Sequence, residues 1–283
     1  MSNDGLAWTI PVMRIGYAGR GLVYIVVAFF SLYAIWHGGQ AKGTSSALSQ
    51  LESTVGGSIL LFLIFVGMVA FATWRLVDAL YDLDEFGTDA KGLIARANMI
   101  VTGFTHLAIG ALAFSLLFIG KQGGGDGSVI ADAVRTVFSL PGGRPIVALV
   151  GLIVMGAGTY HLYKGWSGKY RDNMRANHFT ARWNWILQAG VIAKGAIVFI
   201  IGLLFIYAAI RANPEEAGGV GKAFSWLTGQ PYGWALVATI CVGLLGYASY
   251  CFVSAAYRVV PRVDGHDIET LAARLGSQVR AAF

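Results

Sequence analysis

Charge is what this chain has least of. Only 13% of its 283 residues are Asp, Glu, Lys or Arg, while 56% are hydrophobic and the mean hydropathy is +0.62. Soluble chains carry roughly 25% charge, so this composition belongs to a membrane protein. Cysteine is nearly absent as well. Cys241 and Cys251 lie ten positions apart on one predicted helix. Ten residues of helix rise by ~15 Å, far beyond disulfide reach, so both are expected to be free thiols. No Cys-x-x-Cys pair or Cys/His spacing suited to a metal occurs. The segment from Met1 to Met13 has no basic cluster ahead of an apolar core, so no cleavable signal peptide is expected and the first helix itself directs insertion. Nucleotide loops are missing too. Gly16, Gly19 and Gly21 enter a membrane helix instead of following a strand, and Gly123–Gly127 lacks the Lys-Ser/Thr of a phosphate loop. Ser, His and Asp fall mostly at opposite membrane faces and assemble no catalytic set. The net charge of +6 calls for no nucleic acid, because membrane proteins collect Lys and Arg on cytoplasmic loops for topological reasons.

What is present is repetition. Arg14-Ile-Gly-Tyr-Ala-Gly-Arg-Gly21 opens an apolar run, and degraded copies stand at Arg96–Gly103 and Gln188–Gly195. Six runs are long enough to cross a bilayer, at about Tyr17–Trp36, Ser58–Leu80, Asn98–Ile119, Arg144–Lys164, Ile186–Ile210 and Tyr232–Ser254. Between the two helices of each hairpin, Ala47–Gly57, Ala133–Gly143 and Ala223–Gly233 align without gaps. Each segment predicts a short amphipathic helix lying in the interface, then a sharp turn. The returning helices also align, placing Trp74, Tyr160 and Tyr250 in one register. The expected fold is an all-α integral membrane protein, a single domain of six transmembrane helices in three parallel tandem hairpins, with pseudo-threefold symmetry and short interfacial helices. The repeats span 13–86, 95–172 and 181–260, and 261–283 form a tail.

Fourteen of the 21 Lys and Arg residues fall on the side of the two chain ends and six on the other. That excess predicts a multi-pass protein of the bacterial inner (plasma) membrane with both termini cytoplasmic. In the tail, Asp264 suits a helix N-cap, and Ile268, Leu271, Leu275 and Val279 share one face. Such a helix lies on the inner leaflet or docks on a partner.

Tandem hairpins opening on Arg-x-Gly-x-x-x-Arg-Gly resemble an uncharacterised bacterial membrane family, domain-of-unknown-function family 1206. The resemblance runs from about Met13 to Arg258 and includes Gln230-Pro-Tyr-Gly233 and Gly246-Tyr247. Asn98 and Thr102 replace the expected Gly and Arg in the second opening, and Gln188 replaces the first Arg in the third. The resemblance implies a fold and a membrane location but no activity.

Ionisable residues at membrane depth mark candidate sites. Arg20, Thr102 and Lys194 are equivalent positions, expected near the cytoplasmic interface. Their cations either snorkel to headgroups or form a cationic ring for an anionic lipid, metabolite or ion. Arg75, Asp78, His161 and Lys164 are expected at a similar level, with Arg75 pairing Asp78 at i, i+3. His106 and His161 are a candidate haem b ligand pair or line a polar cavity. Tyr160, with Trp74 and Tyr250, is either core packing or a stacking site for a quinone. The leading expectation is a non-enzymatic protein that binds lipid, a partner subunit of a membrane complex, or its own copy. The alternatives are a small channel or carrier along the pseudo-threefold axis, and a haem or quinone protein.

Overall fold

The computed structural model describes residues 6–120, 128–176, 178–264, 270–271 and 273–274. In chain order the helices are α1 (Thr9–Trp36), α2 (Thr44–Glu52), α3 (Gly57–Tyr81), α4 (Ala90–Phe118), α5 (Ser128–Phe138), α6 (Gly143–Trp166), α7 (His178–Arg182), α8 (Asn184–Arg211), α9 (Val220–Thr228), α10 (Gly233–Tyr257) and α11 (Pro261–Asp264). Six of them, α1, α3, α4, α6, α8 and α10, are long and apolar enough to span a bilayer. They alternate in direction, so the start of α1 and the end of α10 share one end of the bundle, called the terminal end below.

The first and third long helices begin eight residues earlier than the apolar runs suggested, at Thr9 and Ala90. In α4 the added turns are held by polar partners. Arg96 Nε donates to the Ala79 carbonyl at 2.6 Å and Nη2 to that of Leu80 at 3.2 Å, satisfying carbonyls that the last turn of α3 leaves open. At the start of α4 itself, Asp89 accepts the Gly92 N–H at 2.8 Å.

The short helices α2, α5 and α9 pack on the ends of the long helices away from the terminal end, burying Leu48, Val134 and Phe224 respectively. Each ends in the same turn. Gly56 and Gly142 have φ of +77°, and the equivalent Tyr232 has φ of +57°. The residue after each is Gly57, Gly143 or Gly233. A Cβ there would stand 1.8, 1.9 or 2.4 Å from the carbonyl oxygen of Leu51, Val137 or Leu227, so only glycine lets the chain reverse this tightly.

The long helices are neighbours in the order α4, α3, α1, α10, α8, α6. The hairpins α1/α3 and α8/α10 are closed, but α4 and α6, the two helices of the second repeat, share no packing seam. The contact that a threefold axis would repeat is therefore not made in repeat two. Burial follows this order. In α1 and α10, 56% and 50% of the apolar span is buried, against 28% in α4 and 17% in α6.

Repeat alignment supplies the cause. A Cβ on Gly19 would come 2.5 Å from the Gly67 Cα, and one on Gly243 would come 2.3 Å from the Ala193 Cβ. These pairs let backbones meet, the usual device for helix association in lipid. The equivalent residues of repeat two are Val101 and Ile153, and they are 63% and 64% exposed. Two branched side chains stand where the other hairpins have glycine or alanine.

The tail helix expected across Asp264 to Val279 falls largely outside the described residues. Of its stretch, Leu271 is fully buried and donates its N–H to the Met174 carbonyl at 2.7 Å, so this part folds back on the α6–α7 connection.

Candidate functional site

Two groups of charged side chains lie inside the bundle. The first closes the terminal end, and its two arginines are paired with carboxylates. Arg75 pairs with Asp78 at 3.2 Å, and Arg258 pairs with Asp84 at 2.5 Å. Asp78 Oδ1 also accepts the Asp84 N–H at 3.1 Å, joining the two pairs. Trp74 is fully buried under both guanidiniums, 4.3 Å from Arg75 and 5.3 Å from Arg258. Burial alone would weaken the hold of Arg258 on its proton. The neighbouring Asp84 carboxylate outweighs that and raises its pKa above the ordinary arginine value. Lys164, at the end of α6, lies within electrostatic reach of Arg258, Arg75 and Asp84.

The second group lies deeper and is not balanced. Arg20 is eleven residues into α1, about 16 Å from the helix start. Its guanidinium sits over Phe71, which is about 15 Å from the end of α3, so the charge lies about 15 Å inside the terminal end of the bundle. Arg20 is 7% exposed and does not snorkel. Among the described residues it has no ion pair, and its Nε lacks a hydrogen-bond partner. Three rings hold it instead: Phe71 at 4.9 Å, Tyr247 at 5.3 Å and Tyr24 at 5.9 Å. Lys194 Nζ, from α8, lies 5.1 Å from the same Tyr24 ring. Two cations thus share one tyrosine, with no carboxylate among the described residues paired to either.

The two histidines flank this pair from the helices that do not meet. His106, on α4, packs its ring 4.6 Å from Phe71 and donates Nδ1–H to the Thr102 carbonyl at 2.7 Å. A carbonyl only accepts, so the proton is on Nδ1 and Nε2 is free to accept. His161, on α6, lies within electrostatic reach of Lys194 and Arg20. Among the described residues no three His, Cys, Asp or Glu side chains gather as a metal site. The thiols of Cys241 and Cys251 are free and buried.

The residues singled out in sequence therefore divide. Arg20, Lys194 and His106 gather around the Phe71 and Tyr24 rings, with His161 within electrostatic reach; Asp78 and Lys164 belong to the terminal network, and Arg75 bridges the two groups, its guanidinium 5.5 Å from the Phe71 ring. Tyr160 joins neither and is 53% exposed, whereas its counterparts Trp74 and Tyr250 are buried, because the second hairpin is open. Sequence reasoning missed the rings that cage Arg20. Tyr24 was findable as the residue one helical turn after Arg20 on the same face. Phe71 and Tyr247 are equivalent positions in repeats one and three, and their counterpart in repeat two is Ala157. The third wall of the cage is the one without a ring. Asp84 and Arg258 carried no local signal, being 174 residues apart.

Comparison with known proteins agrees with the threefold repeat but supplies no activity. A protein described as "Uncharacterized protein YxxB" from Bacillus subtilis (strain 168) is 25% identical over 256 residues, covering 89% of this chain and 92% of its own. No solved structure matches. Residues 15–82, 97–168 and 189–258 each match one unit of the Domain of Unknown Function family DUF1206. These units coincide with the three hairpins, and the chain belongs to that family.

Proposed function

We propose that this polytopic membrane protein acts by binding an anionic ligand inside the helix bundle, without catalysing a reaction on it. The observation that carries the reading is Arg20: a cation buried inside the bundle, caged by rings, with Lys194 beside it and, among the described residues, no carboxylate paired to either. An uncompensated buried charge costs several kcal/mol, a burden a fold keeps where the charge has a use. Cations offering N–H donors in a low-dielectric pocket are suited to a carboxylate or phosphate. The orientation that fits the basic-residue count has both chain ends in the cytoplasm of a bacterium, with the network of arginine–aspartate pairs on that side. A carrier working along the bundle axis is the second reading, favoured by the placement of these charges at depth.

Native mass spectrometry of the gently extracted protein tests this. A discrete retained anionic mass that disappears in Arg20→Met supports the reading; an unliganded mass under conditions that preserve bound lipid overturns it. An absorption spectrum of the same sample decides the haem alternative, since a Soret band would assign His106 and His161 to iron.

A further inference from the structure

An anion must reach Arg20 by one of three routes, and two are closed. From the terminal end the way is blocked by the Arg75–Asp78 and Arg258–Asp84 pairs, with Leu83, Met174 and Tyr170 buried. From the opposite end it is blocked by an apolar core containing Leu61, Ile64, Val237 and Leu244. The hollow on that face, ≈ 430 Å³ between the end of α1 and the start of α10, is lined by residues such as Ile35, Gln230 and Trp234 and holds no charged side chain. The third route is lateral, between α4 and α6. There the hairpin seam is replaced by Val101 and Ile153, and the ring position of the cage is Ala157. Ala157 stands four residues before His161, on the same helix face and half-buried. Behind the opening lie Arg20 and Lys194, within reach of a histidine on each side.

We infer that the ligand is an anionic amphiphile that enters from the lipid, its carboxylate or phosphate head meeting Arg20 and Lys194 and its hydrocarbon chain lying in the opening between α4 and α6. This rests on the anion-binding reading and adds the source and route of the ligand. A hydrocarbon chain is matched by the exposed apolar edges of the two helices, including Phe104 and Ile153. A head that keeps its charge loses hydration when drawn to this depth, and the two cations offset that loss. A small ion from water would have no need of an opening on the lipid side.

The test uses the full-length protein in nanodiscs of neutral phosphatidylcholine, with the melting temperature and native mass spectra as readouts. The probes are oleate, its uncharged methyl ester, acetate and inorganic phosphate. Oleate is expected to raise the melting temperature and remain as one added mass, while the other three leave both unchanged. Lys194→Gln, which removes one charge-assisted contact, should weaken oleate binding about tenfold or more. Ala157→Phe, which supplies the missing ring and fills the opening, should abolish binding without lowering the melting temperature of the unliganded protein. If Ala157→Phe proves unstable, the Lys194→Gln comparison carries the test alone. Phosphate or acetate binding as well as oleate would overturn the lateral route but leave an anion site standing. Equal binding of the methyl ester, or no response to any anion, would overturn the anion reading too.

Discussion

Arg258 and Asp84 are separated by 174 residues and joined by a 2.5 Å ion pair, with side chains 6% and 2% exposed. The pair ties the exit of the first hairpin to the end of the last helix and so joins the first and third repeats at the terminal end. Removing one partner strands a buried charge, which costs about 3–5 kcal/mol. Asp84→Asn should therefore lower the melting temperature sharply. Adding Arg258→Met should recover most of the loss, and a double-mutant cycle that is additive instead would rule out the coupling.

Arg20 is the opposite case, a buried charge with no ion-pair partner among the described residues. Replacing it with methionine removes the cost of burying an unpaired guanidinium and keeps contact with the three rings. Arg20→Met is expected to stabilise the unliganded protein by about 1–3 kcal/mol, within the range seen when buried ions give way to apolar side chains. Its response to oleate should vanish. Loss of stability in this variant would mean that Arg20 serves the fold.

The open hairpin is the third expectation. Val101→Gly together with Ile153→Gly recreates the small-residue pair of the first hairpin and should let α4 close on α6. Cysteines placed at the facing positions Asn98 and Ala157, equivalent to the closely packed Gly16 and Phe71, would report closure as an increase in oxidative cross-linking. Conversely, Gly67→Leu should open the first hairpin, and overpacking of this kind costs about 1–3 kcal/mol or more. Unchanged cross-linking in the double glycine variant would leave the seam explanation without support.

The repeated turn yields a contrast between neighbouring positions. Tyr232 occupies a left-handed conformation that costs an L side chain roughly 1–2 kcal/mol, whereas its counterparts are Gly56 and Gly142. Tyr232→Gly should raise the melting temperature slightly, part of the gain being offset by the freer unfolded chain. Gly57→Ala, where the new Cβ would fall 1.8 Å from the Leu51 oxygen, should lower it by several degrees. Thermal unfolding followed by circular dichroism separates the two.

Much of this architecture was legible in sequence because it is written locally. Hydropathy over ~20 residues sets a membrane span, and three aligned openings beginning Arg/Gln-x-Gly/Asn and three aligned turns ending in Gly57, Gly143 and Gly233 set the hairpins. The i, i+3 pair Arg75–Asp78 was legible for the same reason, since helix geometry alone brings those residues together. The candidate site was only half legible: Arg20, Lys194 and the two histidines stood out as ionisable groups in apolar runs, but Phe71 and Tyr247, which cage Arg20, come from other helices and left no local signal.

The sequence by itself determined the membrane class, the six helices, their grouping into three repeats and the turns between them, all consequences of local periodicity and of glycine where side chains do not fit. Only the tertiary structure decided which helices meet. Closure of a hairpin depends on whether facing residues on two distant helices are both small, and Val101 acquires that meaning only beside Ile153. The balance of charge is decided in the same way. Arg258 is neutralised because the chain returns it to Asp84, whereas packing brings Arg20 three aromatic rings and, among the described residues, no acid.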